Sequence, residues 1–346
     1  MNDCGAIRSE MTFDEIEALP EFAGLGGYLM VCRPATRERM RSVPVAASAA
    51  SSGSAYAVKR IRCGLERVRE IVRAGIDFDL RIWDEAGITE DPTRADVRLF
   101  HFPAGRARGD STVGTAWVLV IPGGGYQSVC NAFEGFPVAA ELNAAGYDAF
   151  VLSYRVRMEH LMPRPFDDVA RAVAYIHEHA SELGVSYGAP YAVIGFSAGG
   201  HLAAEWGTVN HGYRVYGQPA PAALVLCYPA IDVRLSAQGD AGSDRFVRSL
   251  IDNRELSALD EFAVNLHMDE AYPPTYIWQC RDDEVVPFMN YEIMVSRLAE
   301  LGIAYEARAF DRGGHALMRP HEEEADRWFE LALPFLRRRL GGASNL

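Results

Sequence analysis

Up to about residue 95 the apolar positions recur at helical spacing, and beyond it they gather into short runs separated by helical stretches. In "GLERVREIVRAG" the residues Leu65, Val68 and Val72 share one helical face, and "FDEIEALPEF" is a shorter amphipathic segment before it. The patch "AASAASSGS" at 46–54 is small and polar, can neither pack a core nor hold one conformation strongly, and reads as a loop or linker. The pattern predicts a helical N-terminal extension over residues 1–94.

From there the periodicity alternates between strand-like and helical. "VRLFHF" and "AWVLVIP" read as early strands, "FEGFPVAAELNAAG" as a helix stopped by glycine, and "YDAFVLSY" as the next strand. "FDDVARAVAYIHEHA" carries Val169, Val173, Ile176 and Ala180 as one apolar stripe and leads into the strand "YAVIGF". "AALVLCYPAI", "PPTYIWQC" and "IAYEARAF" supply three more strands. A closing helix around "EEEADRWFELALPFLRRR" begins acidic and ends basic, which suits its dipole. Strands alternating with helices specify an α/β unit over residues 95–340, with a mainly parallel central sheet flanked by helices. Residues 232–270, polar and irregular, read as an insertion over the site. The chain shows no internal repeat.

Composition narrows the function more than the fold. No apolar run approaches the ~18 residues of a membrane span. The formal charge of −13 on 346 residues disfavours nucleic-acid or anionic-membrane partners. The stretch "MNDCGAIRSEMTFDEIEAL" lacks a basic-then-apolar run, so the expectation is a cytoplasmic protein. Cys4, Cys32, Cys63, Cys130, Cys227 and Cys280 are scattered without zinc-ligand spacing, which favours reduced, packed thiols.

The chemistry centres on "YAVIGFSAGGHLAAEW", an apolar strand, then Gly-Phe-Ser-Ala-Gly, then a helix-compatible run. A serine on a sharp strand-to-helix turn projects its oxygen clear of the sheet, and Gly195 and Gly199 relieve the clashes that turn creates. Ser197 is therefore the candidate nucleophile, and its hydroxyl needs a base. His315 in "FDRGGHAL" follows the last strand on a Gly-Gly loop and suits that role. His177 and His179 point to different helix faces, and His201 reads as structural. "WQCRDDEVVP" offers the acid that orients the base: Asp283 is the choice, with Asp282 as runner-up. The order Ser197, Asp283, His315 is that of the α/β-hydrolases and of no other serine-triad fold. "LVIPGGGYQSV" places glycines after an early strand, and Gly124 and Gly125, with the amide of Ala198, are the expected oxyanion donors. A phosphate loop is disfavoured because Ser128 stands where the third glycine would be. No metal-binding motif is present, and the chemistry needs no cofactor.

Together "PGGGY", "EG" at 134–135, "YR" at 154–155, "GFSAGGHLA", "YPAI", "PPTYIWQCRDDEVVP" and "FDRGGHAL" resemble the α/β-hydrolase family of bacterial acetylxylan-esterase-like carbohydrate esterases. These are related to the HGGG lipase/esterase group. Pro122, where that wider group has histidine, favours the acetylxylan-esterase-like branch. The resemblance covers roughly residues 95–340 and not 1–94. It implies an α/β-hydrolase fold and a serine esterase with Ser197, Asp283 and His315 as triad, acting on a short acyl group, acetyl above all, carried by a sugar or oligosaccharide. Tyr126 then either stacks on the sugar ring or serves packing. Rival readings are a peptidase or amide hydrolase with the same triad, and a non-catalytic small-molecule binder on the same scaffold. The N-terminal region is a candidate module for self-association into a homo-oligomer.

Overall fold

A computed structural model describes residues 6–49, 55–104, 116–238, 241–319, 321 and 323–341. Eight strands form one sheet: β1 (Asp79–Leu80), β2 (Arg98–Phe102), β3 (Trp117–Ile121), β4 (Asp148–Ser153), β5 (Tyr191–Phe196), β6 (Ala223–Cys227), β7 (Thr275–Cys280) and β8 (Tyr305–Phe310). Their spatial order is β1-β2-β4-β3-β5-β6-β7-β8. β1 and β2 run antiparallel to their neighbours, and β4 through β8 pair in parallel. The expected strands all form. β1 escaped the sequence reading because two residues carry no periodicity.

Helices on both faces bury the parallel strands, so these read as continuous apolar runs. Successive side chains alternate between two cores. Leu119, Val193, Leu224 and Ile277 face one, which is covered by α3 (Arg164–Glu178) and by α4 (Ser197–Glu205) with Leu202 and Ala203. Val118, Val120, Ile194 and Val225 face the other, covered by α1 (Ala55–Arg73), α2 (Phe136–Ala144) and α7 (Trp328–Leu340).

The N-terminal residues belong to this second core, which contains Ile7, Phe13, Ile16, Phe22, Leu29 and Val45 together with the strand residues. Of the expected stripe on α1, Leu65 and Val68 are buried with Ile61 and Ile71, and Val72 stands at the edge of that face. Arg60 reaches from α1 to Glu141 on α2 with two hydrogen bonds of 2.7 and 2.6 Å. Arg69, nearly buried, pairs with Glu66 and Glu21. Residues 46–49 of the Ala/Ser patch are helical, within Val45–Ala49, because alanine favours helix; residues 50–54 lie outside the described residues.

The 232–270 segment is more regular than expected. It contains α5 (Ala241–Ile251), which buries Phe246, Val247, Leu250 and Ile251. A one-sided apolar stripe behind a polar start is easily taken for loop. α6 (Met289–Glu300) follows β7. The closing helix is broken into Glu323–Asp326 and α7. Cys32, Cys130 and Cys227 are free thiols, whereas Cys63 is disulfide-bonded, against the expectation of reduced thiols. Among the described residues, no helix is long and apolar enough to cross a membrane.

α1 crosses α2 closely at Gly64, where an added Cβ would lie 2.6 Å from the Pro137 nitrogen and 2.7 Å from the Phe136 carbonyl carbon. Helix propensity alone would make Gly64→Ala stabilising by about 1 kcal/mol. Because the obstructing atoms are backbone, overpacking wins and the variant is expected to lose about 1–3 kcal/mol. A melting temperature equal to or above the parent's would refute this close crossing.

Candidate active site

The β5–α4 junction forces the chain round in a single residue. Ser197 starts α4 with φ +53°, a left-handed value that non-glycine residues seldom adopt. Its neighbours are fixed by contact. A Cβ on Gly195 would sit 2.3 Å from the Gly199 carbonyl oxygen, and one on Gly199 would sit 2.2 Å from that of Ile121. Both glycines of the motif are thus required by close backbone approach, and the turn is wedged against the end of β3.

His315 arrives from the loop after β8, through Gly313 (φ +147°) and Gly314 (φ +61°). Its Nε2 lies 2.8 Å from Ser197 Oγ, and its Nδ1 lies 2.8 Å from Asp283 Oδ2. An ionised carboxylate only accepts, so Nδ1–H donates to Asp283 and Nε2 is left to accept from the serine hydroxyl. Asp283 comes from the loop after β7 with a fully buried side chain. Its Oδ1 accepts the Val285 and Val286 amides, each at 2.9 Å, and Gln279 Nε2 approaches Oδ2 at 3.3 Å. Asp282 points elsewhere and accepts the Gly314 amide at 2.8 Å, which steadies the loop that carries His315.

The glycine loop after β3 is held at several points. The Pro122 carbonyl accepts from Tyr154 Oη at 2.9 Å, and the Gly123 amide donates to Glu134 Oε2 at 2.6 Å. The Gly124 carbonyl accepts the amides of Gln127 and Ser128. Gly124 (φ +135°) admits no Cβ, which would meet the Ser128 carbonyl oxygen at 2.2 Å. Among the described residues nothing accepts from the Gly124 or Gly125 amide. Ala198 is the second residue of α4, where an amide has no intrahelical acceptor. These three expected donors and Ser197 line one cleft of about 240 Å³, whose wall includes Ala230, Ser236, Arg245, Phe246, Val285 and Val286.

Tyr126 is the exception. Its side chain is wholly buried, its ring stacks on Phe246 at 5.8 Å between centroids, and its hydroxyl lies 2.8 Å from His201 Nδ1. A sugar ring has no access to it, so the expectation that it stacks on substrate is corrected in favour of packing. The reason is its left-handed backbone (φ +56°), which turns the ring inward under the loop.

The hydroxyl of Tyr126 enters a buried polar chain behind α4. His201 Nε2 donates to the Phe262 carbonyl at 2.8 Å and approaches Glu205 at 3.4 Å, so Nδ1 accepts from Tyr126. His211 Nδ1 reaches the other Glu205 oxygen at 3.1 Å. Burial opposes the charge on Glu205, but its hydrogen bonds with His201 and His211 win and hold its pKa at about 2. His177 and His179 lie away from the site, as expected, against Trp117 and Tyr175 respectively.

Two residues given no role from the sequence stand beside the relay. Glu134 lies in a π-turn, Asn131–Gly135, that opens α2, and Tyr228 follows β6. Both occur in stretches of the family resemblance, "EG" and "YPAI", and nothing else in the sequence marks them. A second chamber of about 320 Å³ lies behind them, walled in part by Met30, Met40 and Tyr56 of the N-terminal segment.

Comparison with known proteins bears on the family and the fold. The sequence model of the BD-FAE family matches residues 108–298. The chain is 33% identical over 221 residues to endo-1,4-beta-xylanase B of Butyrivibrio fibrisolvens, covering 61% of this chain and 34% of that protein. It is 28% identical over 191 residues to an acetylxylan esterase of Xylanibacter ruminicola, covering 54% of this chain and 36% of that protein. The chain thus spans about a third of the length of these curated relatives. The crystal structure of an acetyl ester-xyloside bifunctional hydrolase from Caldicellulosiruptor lactoaceticus superposes with a TM-score of 0.61 at 27% identity, covering 75% of this chain and 95% of that one. The fold is that of the α/β-hydrolases, as expected.

The Glu205 network makes stability depend on acid. Its folded pKa of about 2 lies below the ordinary 4.5, so its contribution is full above pH 4.5 and is lost as pH falls toward 2. The melting-temperature gap between the parent and Glu205→Gln should therefore close across that window. A gap independent of pH there would contradict the assignment.

Proposed function

The chain belongs to the BD-FAE family, and from that premise we propose that it is a carboxylic ester hydrolase with Ser197 as nucleophile, His315 as base and Asp283 as acid. The observation that carries the reading is the unbroken relay from Ser197 Oγ through His315 to Asp283, with both links at 2.8 Å. As Oγ attacks the ester carbonyl, its proton passes to Nε2, and the buried Asp283 carboxylate stabilises the imidazolium. The carbonyl oxygen, now carrying the negative charge, takes the amides of Gly124, Gly125 and Ala198. The imidazolium returns the proton to the departing alkoxide, the alcohol leaves, and water deprotonated by the same nitrogen releases the acid from the acyl-enzyme.

The substrate we propose is a short acyl ester, chiefly acetyl, on a sugar or oligosaccharide. The acetylxylan esterase and the acetyl ester-xyloside hydrolase among the similar proteins support this choice. The modest cleft at Ser197, apolar along Ala230, Phe246, Val285 and Val286, suits a small acyl group.

Hydrolysis of p-nitrophenyl acetate and peracetylated xylose tests the reading. Ser197→Ala is expected to abolish turnover with its melting curve intact, and substantial residual rate would remove Ser197 from the role. Asp283→Asn should lower kcat by on the order of 10³–10⁴, since an amide lets His315 settle in the wrong tautomer. Asp282→Asn, which only loosens the Gly314 tether, should cost far less. Faster cleavage of a matched anilide than of the ester would favour an amide hydrolase.

A further inference from the structure

Glu134 is a half-buried acid that the relay does not use, and its contacts reach both halves of the site. Its Oε2 accepts the Gly123 amide at 2.6 Å and its Oε1 accepts the Tyr228 hydroxyl at 2.9 Å. Gly123 leads into the glycine loop, and a Cβ there would lie 2.9 Å from Ser197 Cβ and 3.1 Å from Glu134 Oε2. Tyr228, held at the unusual φ of +40°, packs edge-on against His315 with centroids 4.9 Å apart and against Trp278 at 5.0 Å. One carboxylate therefore joins the strand end that presents the oxyanion donors to the ring that backs the base.

The charges around it are few. Tyr228 and Cys227 at the end of β6, Cys130 in the same turn and Tyr154 at the end of β4 all feel Glu134, and each is a group neutral at physiological pH. Among the described residues, His315 is the cation-forming side chain whose charge acts on Glu134. Arg60 acts on Tyr228 and is itself committed to Glu141. On its other sides His315 meets Asp283 and Ser197, and Asp282 holds the preceding amide. Burial raises the Glu134 pKa, while the Gly123 and Tyr228 hydrogen bonds and His315 favour the ionised form.

We propose that Glu134 is a positioning residue: it ties Gly123 to Tyr228, so aiming the glycine loop, and its negative charge stabilises His315 once the imidazole has taken the serine proton. The proposal rests on the serine-hydrolase reading above and adds to it a second carboxylate that acts through its neighbours without touching substrate. Glutamine separates charge from tether. Its oxygen can keep the Gly123 amide while its NH₂ turns to the Tyr228 oxygen, so Glu134→Gln removes the charge and leaves both contacts possible.

The test is the rate at which a fluorophosphonate labels Ser197, followed by intact mass over roughly pH 4 to 9, where histidine titrates. This readout needs no knowledge of the natural ester. A nearby anion favours a protonated imidazole, which cannot serve as base, and removing the anion favours the free base. Glu134→Gln should therefore move the acid limb of the profile down by about half a pH unit. The plateau should fall about tenfold, less than the 10²–10³ that loss of a whole oxyanion donor costs. Tyr228→Phe cuts the tether and keeps the charge, so its plateau should fall several-fold with the limb in place; this arm does not depend on Glu134→Gln folding. A Glu134→Gln limb that superimposes on the parent's, or a Tyr228→Phe plateau equal to the parent's, would overturn the proposal. A parent enzyme whose Ser197 is not labelled at all would instead sink the hydrolase reading, and the proposal with it.

Discussion

The close approach of Gly199 to the end of β3 is the contact on which the site depends. With no side chain there, the first turn of α4 presses against the Ile121 and Pro122 carbonyls, and the left-handed backbone of Ser197 is held between them. The same carbonyls lead directly into the glycine loop, so Ser197 and the amides facing it are positioned by one piece of packing. Strain at a functional residue persists only where its surroundings over-determine it, and here two parallel strands and a helix do so. Losing that wedge would misplace the Ser197 hydroxyl and the proposed oxyanion donors together, which makes the turn as much a feature of the glycine loop as of the serine.

Around this wedge stand three carboxylates, two buried and one half-buried, each handled differently. Asp283 is satisfied by two backbone amides and an imidazole, which is enough to keep it an acceptor facing His315. Glu205 is surrounded by two histidines and a threonine hydroxyl, and it anchors the far end of α4. Glu134 has one amide and one phenol, the sparsest set of the three. Removing one partner from a buried charge is far more damaging than replacing the whole arrangement, so each set is expected to behave as a unit.

The N-terminal segment is built into this structure through the second core. Its apolar residues meet the same strand side chains as α2 and α7, and paired charges join α1 to α2 at Arg60 and Glu141. Because the segment also walls the chamber behind Glu134 and Tyr228, its packing bears on the region backing the base as well as on stability.

The sequence by itself determined the strand series and the helices between them, because alternation, helical spacing and glycine placement are local signals that survive without contacts. It also singled out Ser197 and His315 as candidates, since a strand-to-helix serine turn and a Gly-Gly-His loop are short motifs with their own mechanics. Only the tertiary structure decided between Asp282 and Asp283: neighbours in the chain look alike until one of them turns inward to an imidazole and the other outward to an amide. Only the fold could bury Tyr126 away from substrate, raise α5 out of an apparently irregular stretch, and set Glu134 between Gly123 and Tyr228. Those outcomes depend on residues well separated along the chain meeting in space, Tyr126 with Phe246 and Glu134 with Tyr228 among them, and no periodicity along the chain records such a meeting.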